Sequence, residues 1–151
     1  MKSKIYYADA RAEKFDYKYS FVAKFEQILE MVDFKEFIKE KDYVAIKTHL
    51  GSYGSHRIVR PFFIKKIVDR VKQVGGLPFV TDTVRIPGLE YIDVANMEGL
   101  NHLSLGAPVI MADGIFGRDH VRVKSGPILK HVGVASSIYY APAMIVVSHC
   151  K

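Results

Sequence analysis

The sequence contains no tryptophan and a single cysteine, Cys150, among its 151 residues. One thiol cannot form a disulfide within the chain, and it excludes an all-cysteine zinc site or iron–sulfur cluster made by this chain alone. A disulfide is not needed, because a chain of this length can bury roughly 70% of its unfolded surface. We therefore expect a single domain spanning residues 1–151.

Long apolar runs are also missing. No stretch approaches the roughly 18 uninterrupted apolar residues of a membrane-spanning helix. Residues 1–15 are rich in charge and lack the apolar segment of a secretory signal peptide. These absences predict a cytoplasmic protein with no membrane partner.

Acidic residues are outnumbered, with 22 lysines and arginines against 16 aspartates and glutamates, for a net charge of +6. Such a domain attracts phosphorylated metabolites, nucleic acid or acidic proteins, although an excess of solvated lysines gives the same figure. The clearest basic face alternates His120, Arg122 and Lys124 with valines in a predicted hairpin. Aromatic residues do not interleave with it, which argues against nucleic-acid binding.

The hydrophobic pattern predicts an α/β fold: a mostly parallel sheet with flanking helices and a β-hairpin excursion. The clearest unit has a strand at Tyr43–Thr48, a helix from Pro61 to about Val74, and a strand at Pro78–Thr81. This strand–helix–strand order is typical of a right-handed crossover between parallel strands. Before it, we expect a strand at Ile5–Ala8 and a helix capped by Ser20.

The apolar positions of that first helix predict one buried stripe, made of Phe21, Val22, Phe25, Ile28, Leu29 and Val32. The stripe either continues past residue 33 or gives way to a second short helix capped by Asp33. Beyond residue 82 we expect one helical turn near Ile92–Met97 and a short helix at Val134–Tyr140. Predicted strands follow at Pro108–Ala112, Asp119–Lys124, Ile128–Val132 and Ala143–Ser148.

Ionisable side chains stand at four predicted strand ends: Lys47 with His49, then Asp82, Asp113 and His149. Ligands bind open parallel sheets beyond the carboxyl ends of the strands, so these groups are expected to share one edge. His49, His149, Asp82 and Asp113 could ligate a divalent metal, or they could act as general acids and bases. Alternatively, they only cap the loops that follow the strands.

The loop after the first of these strands contains Gly51 and Gly54 and leads to Arg60 at the start of a helix. Glycines let backbone N–H groups approach a ligand, and a helix N-terminus favours an anion. The loop lacks the Gly-Lys-Ser/Thr of a P-loop and the Gly-x-Gly-x-x-Gly of a dinucleotide site. It therefore predicts a site for an anionic small molecule of unspecified identity, or else a solvated basic loop.

Several segments occur in an order typical of a known family. They are Lys47-Thr48-His49-Leu50-Gly51, Arg60-Pro61, Val74-Gly75-Gly76 with Pro78, Thr81-Asp82-Thr83, the stretch from Gly106 to Gly114, Gly117-Arg118-Asp119, and Ser148-His149-Cys150-Lys151. This set resembles domain-of-unknown-function family 362, often described as uncharacterised iron–sulfur centre proteins. The resemblance covers about Tyr43 to Lys151.

The resemblance implies an amino-terminal α/β part of a longer architecture, in which longer members carry a ferredoxin-like, cysteine-rich segment. That segment is missing here, which argues against an iron–sulfur cluster within this chain and leaves a ferredoxin-like partner chain or segment as an implied partner. The matched positions include Lys47, His49, Asp82, Asp113, Arg118 and His149, and Arg118 joins the expected ligand-binding residues on this ground. No reaction follows from the resemblance.

Two functions remain open at this point. The first is a ligand-binding domain of a redox-associated protein, with an anionic small molecule or a metal bound at the strand ends. The second is a non-catalytic interaction subunit that completes its sheet with a partner or a dimer mate. The second follows from the last apolar strand. The sequence places this strand next to the end of a chain that is expected to be part of a longer protein.

Overall fold

The computed structural model describes residues 3–149 and confirms the α/β class. The helices are α1 (Phe21–Met31), α2 (Pro61–Gln73), α3 (Gly88–Met97), α4 (His102–Leu105) and α5 (Ser136–Tyr139). The strands are β1 (Tyr43–Thr48), β2 (Leu77–Asp82), β3 (Val109–Met111), β4 (His120–Lys124), β5 (His131–Ala135) and β6 (Ala143–Val147). Single 3-10 turns lie at Tyr17–Tyr19 and Phe34–Glu36.

The main sheet has the strand order β3-β2-β1-β6, and every neighbouring pair is parallel. The carboxyl ends of these strands therefore lie along one edge of the sheet, where a ligand site is expected. Strands β4 and β5 form a separate antiparallel pair, which confirms the hairpin excursion.

Helix α2 forms where the sequence predicts it. Pro61 occupies the first helical position, where a missing N–H costs nothing, and the buried residues recur at helical spacing as Ile64, Ile67, Val68 and Val71. This face packs on the sheet and joins the buried strand residues in one core. Gly75 ends the helix at φ +89°, a left-handed conformation that favours glycine.

Helix α1 packs against α2 through aromatic edges. The Ser20 side chain accepts a hydrogen bond from the amide of Ala23, which confirms the predicted cap. The ring of Phe63 lies 5.1 Å from that of Phe21 and 5.2 Å from that of Phe25. The predicted buried stripe is nevertheless wrong in part: Ala23 is the only buried residue of α1, and Phe21 is 51% exposed.

Two predicted elements differ from the structure, and one further helix is not predicted. Ile5–Ala8 is not a strand, because these residues lie outside both sheets and Ile5 is exposed. Helix α3 has ten residues instead of a single turn. Its start is hard to predict from the sequence, because neither Pro87 before the helix nor Gly88 at its first position has a side chain that can cap it. The short helix α4 was not expected, although Asn101 and Ser104 form a capping box there.

The second hairpin strand starts later than expected, at His131 instead of Ile128. The connection from residue 125 to 130 forms its own turn, closed by a hydrogen bond from the Ser125 amide to the Lys130 carbonyl. Lys130 adopts φ +57°, which takes the chain out of the strand conformation just before β5.

None of the helices within residues 3–149 has the length and apolar character that a membrane span requires. The cytoplasmic location stays a prediction.

Candidate acid–base site at the carboxyl edge of the sheet

The ends of β1 and β2 bring three of the predicted site residues together. The Lys47 ammonium lies 3.2 Å from Oδ1 of Asp82, and Nδ1 of His49 lies 3.4 Å from Oδ2 of the same carboxylate. Asp82 itself is only 3% exposed, whereas the side chains of Lys47 and His49 are 37% and 38% exposed. A buried carboxylate thus contacts two side chains that are partly exposed to solvent.

Asp82 has the hydrogen bonds that a buried carboxylate needs. Its Oδ1 accepts from the amide of Thr83 at 3.0 Å, and its Oδ2 accepts from the hydroxyl of Tyr91 at 2.7 Å. With the Lys47 ion pair and the His49 contact, both carboxylate oxygens have at least two partners. This set of donors holds the side chain in one orientation.

Tyr91 reaches this carboxylate from α3, and its side chain is 1% exposed. Burial, together with the adjacent Asp82 carboxylate, raises the pKa of the Tyr91 hydroxyl far above its usual range. The hydroxyl therefore stays protonated and acts as a donor to Asp82. Its oxygen also lies 3.2 Å from Nδ1 of His49, where it can accept a hydrogen bond.

The partners of His49 define which ring nitrogen carries its hydrogen. Nε2 lies 3.4 Å from Nη1 of Arg85, and a guanidinium can only donate. Nε2 is therefore the acceptor, and the hydrogen of the neutral ring lies on Nδ1, which faces Asp82 and Tyr91. In this tautomer the lone pair of Nε2 accepts from the exposed Arg85, so this nitrogen can act as a general base when that guanidinium moves to a ligand.

We call these five residues the carboxyl-edge cluster: Lys47, His49, Asp82, Arg85 and Tyr91. The cluster contains two cations, Lys47 at the Asp82 carboxylate and Arg85 at His49, so it has an excess of one positive charge when the imidazole is neutral. An anion that binds next to His49 would neutralise that excess.

The other predicted ligand-binding residues lie outside the cluster. Asp113 accepts a hydrogen bond from the amide of Val84 at 2.9 Å, so it holds the segment after β2. Arg118 is exposed in the turn before β4. Gly51 adopts φ +110°, and a β-carbon there would lie 3.0 Å from Cγ of Glu98. Gly54 adopts φ +71° and has open space around it.

A comparison with protein-family models finds a match to the Domain of unknown function (DUF362) over residues 44–151. The chain belongs to the DUF362 family. No curated protein and no solved structure matches the chain. All five cluster residues lie within the matched segment, and the family description names no reaction.

The DUF362 domain does not gather the four predicted metal ligands into one group. His49 and Asp82 are adjacent, Asp113 bonds the backbone after β2, and His149 lines a cavity next to Thr48 and His49. Within residues 3–149 there is no group of three or more histidine, cysteine or acidic side chains placed to hold a metal ion. Metal binding by these residues stays a prediction.

Sequence reasoning missed two members of the cluster, Arg85 and Tyr91. Arg85 follows β2 by three residues and Tyr91 lies inside α3, so neither stands at a strand end. The available signal for Tyr91 was its position among apolar residues that recur at helical spacing, Val94 and Ala95, which are buried with it. A correct boundary for α3 would have put its hydroxyl in the core of the DUF362 domain, where it needs a polar partner.

Proposed function

We propose that the carboxyl-edge cluster binds an anionic small molecule and that His49 exchanges a proton with it. The observation that carries this proposal is the orientation of His49, whose Nδ1 faces a buried carboxylate while Nε2 faces the exposed Arg85. A carboxylate behind one ring nitrogen and an accessible second nitrogen form the arrangement used in general acid–base catalysis.

Lys47 and Arg85 supply the charge for the anion. Lys47 contacts Asp82 and Arg85 contacts His49, and a ligand can replace both contacts because Lys47 is partly exposed and Arg85 is exposed. An anion that draws the Arg85 guanidinium to itself would also free Nε2 of His49. The same guanidinium can donate two parallel hydrogen bonds to a carboxylate or phosphate group.

Asp82 has the second role in this proposal. When Nε2 takes up a proton, the imidazolium that forms lies beside the Asp82 carboxylate and is stabilised by it. The Tyr91 hydroxyl donates to that carboxylate and limits its rotation. Asp82 and Tyr91 are therefore positioning residues, and His49 is the group that meets the ligand.

The binding step is tested with inorganic phosphate and acetate as probes. Nuclear magnetic resonance would follow the imidazole signals of the histidines while each anion is added. We expect the His49 signals to move, and we expect about a fivefold or greater loss of affinity in Lys47→Gln and Arg85→Gln, since each removes one charged contact. The control is Arg122→Gln, an exposed arginine of the hairpin.

The accessibility of Nε2 is tested by carbethoxylation with diethyl pyrocarbonate, mapped by mass spectrometry. His49 should react, and saturating phosphate should protect it more than it protects His102, which lies on α4. Equal protection of both histidines, or phosphate binding that survives both charge-removing variants, would contradict the proposal.

A second candidate function, an interaction subunit, is favoured by the edge strand β6. In the described part of the chain, β6 pairs with β1 alone. Its Met144 and Val146 side chains are 49% and 58% exposed, on the face shared with Lys47 of β1. All-parallel sheets usually have both faces covered, so an exposed apolar edge fits a partner or dimer mate.

Light scattering after size exclusion tests this second candidate. We expect a self-associated species that Val146→Lys dissociates, while Leu129→Lys, at an exposed apolar position of the hairpin connection, leaves it intact. A stable monomer at all concentrations would exclude the dimer mate. The ferredoxin-like partner and the redox association implied by the family resemblance stay predictions.

A further inference from the structure

Two adjoining cavities lie next to His49. The smaller, about 270 Å³, is lined by Thr48 and His49 at the end of β1. The larger, about 780 Å³, extends from it towards α1. Both are lined by the same six residues, so they form one continuous groove: Arg57, Ile58, Val59, Val147, Ser148 and His149.

The far wall of the larger cavity is apolar and partly aromatic. Phe21, Val22 and Phe25 of α1 line it together with Phe63 of α2. The edge-to-face contacts of Phe63 with Phe21 and Phe25 fix the positions of these rings. This wall explains why the apolar stripe of α1 is only half-buried: part of it borders a space that is large enough for a small molecule.

The groove is also lined by polar and basic groups. His56, Arg57 and Arg60 lie on the side of the loop before α2, and His149 lies on the side of β6. Among the described residues that line the two cavities, none is an aspartate or glutamate. The groove thus combines an apolar wall with positive charge, a combination suited to an anion that has an apolar body.

The hydroxyl of Thr48 gives an independent indication that a ligand is bound here. Thr48 is 1% exposed, and its Oγ1 has no hydrogen-bond partner among residues 3–149. A buried hydroxyl without a partner is costly, so such groups are rare in native proteins and need an explanation. Thr48 lines the smaller cavity, where a polar atom of a ligand could supply the missing bond.

We propose that the anionic ligand of the carboxyl-edge cluster is amphipathic, with an aromatic or branched aliphatic body. The body lies in the larger cavity against Phe21 and Phe25, the anionic group lies near His49, and the Thr48 hydroxyl hydrogen-bonds the polar part between them. This inference rests on the proposed function, because it places the anionic group of the ligand at the same cluster. It adds the chemical class: an apolar carboxylic acid or phosphate ester.

The test compares 2-naphthoate with acetate, which has the same charge and no apolar body. Isothermal titration calorimetry should give roughly tenfold or tighter binding of naphthoate, since a tenfold gain corresponds to burial of only about two methylene groups. Phenyl phosphate compared with inorganic phosphate repeats the comparison for the other anionic group. Equal affinity within either pair would overturn the inference for that class while leaving the proposed anion site intact.

Two buried threonines provide matched variants. Thr48→Val removes the hydroxyl without a partner, so naphthoate affinity should fall about fivefold while the thermal stability of the free protein stays the same or rises. Thr81→Val removes a hydroxyl that donates to the Ile110 carbonyl at 2.8 Å, so stability should fall and affinity should not. Unchanged affinity in Thr48→Val would remove the role assigned to this hydroxyl.

The aromatic wall is tested in the same way. Phe21→Ala should weaken naphthoate binding about tenfold but leave acetate binding unchanged, because acetate does not reach the wall. Phe37→Ala is the control, since Phe37 is 43% exposed and lies outside both cavities. Naphthoate binding that is insensitive to Lys47→Gln would overturn the inference, because the anionic group would then lie away from the cluster.

Discussion

Replacing Tyr91 with phenylalanine isolates one hydrogen bond at the centre of the cluster. The ring remains, so the packing of α3 is kept and only the hydroxyl that donates to Asp82 at 2.7 Å is lost. A hydrogen bond to a charged group contributes about 1.5–3 kcal/mol. Asp82 keeps its contacts with Lys47 and the Thr83 amide, which favours the lower half of that range.

The measurement is the free energy of unfolding by urea and by heat at pH 7. For a domain of this size, a loss of about 1.5–2 kcal/mol lowers the melting temperature by roughly 3–8 °C. Tyr7→Phe is the matched control, because the Tyr7 side chain is 85% exposed and its hydroxyl contributes no buried bond.

The pH dependence adds a second test. The pKa of Tyr91 is raised in the folded protein by burial and by Asp82, whereas the unfolded chain has the ordinary value of about 10. Its stabilising effect is therefore complete below pH 10 and is lost as the pH rises towards the folded value. The stability difference between the wild type and Tyr91→Phe should shrink above pH 10.

A cost below about 0.5 kcal/mol at pH 7 would refute the role assigned to the hydroxyl. A double-mutant cycle with Asp82→Ala gives the coupling, since alanine removes the acceptor, whereas the amide oxygen of an asparagine would still accept from the Tyr91 hydroxyl. Additive effects of the two substitutions would likewise show that Tyr91 does not hold Asp82 in place.

Three further substitutions test the scaffold. Glu26→Gln should cost about 0.5–1 kcal/mol at pH 7, because Lys66 first and then a tyrosine hydroxyl lower the pKa of Glu26. Since that stabilisation is present above the unfolded pKa of about 4.5 and is lost as the pH falls through the lower folded pKa, the stabilities of the two proteins in urea should converge in acid. Gly88→Ala should destabilise the protein by about 1–3 kcal/mol in thermal melts, because the added β-carbon would lie 2.6 Å from Cα of Ile115. An unchanged melting temperature would mean that the loop containing Ile115 moves freely. Ser20→Ala should cost about 1 kcal/mol in urea unfolding through loss of the cap on α1, whereas Ser20→Gly should cost less than Ser20→Ala.

The strand–helix–strand unit was predictable because each of its elements agrees with the local rules. Tyr43–Thr48 matches β1 to the residue, and Pro61 starts α2 as its fixed φ favours. Parallel pairing places the carboxyl ends of β1 and β2 side by side, which is why the sequence alone predicts that Lys47, His49 and Asp82 lie together. Parallel pairing is the only information needed for that step.

The rest of the site depends on tertiary contacts that no local pattern records. Arg85 reaches His49 because the segment after β2 is held by Asp113, a contact between residues 29 positions apart. The spacing of apolar residues in α1 predicts that the aromatic wall lies in the core, because spacing shows that a helix has an apolar face but does not show what covers that face. In the structure a cavity occupies part of that space, beside Phe21 and Phe25.

The pairing of β1 with β6 has a consequence for how the protein folds. Val44 pairs with Ala143, about 100 residues further along the chain, whereas β1 and β2 are joined by one crossover. Closing so long a loop costs more entropy than closing the crossover, so β6 should add to the sheet late. Pulsed hydrogen exchange would then show that the amides of Val44–Thr48 that are bonded to β2 become protected before the amides of β6. Because Val147 and His149 line the groove, the groove would be the last part of the domain to form.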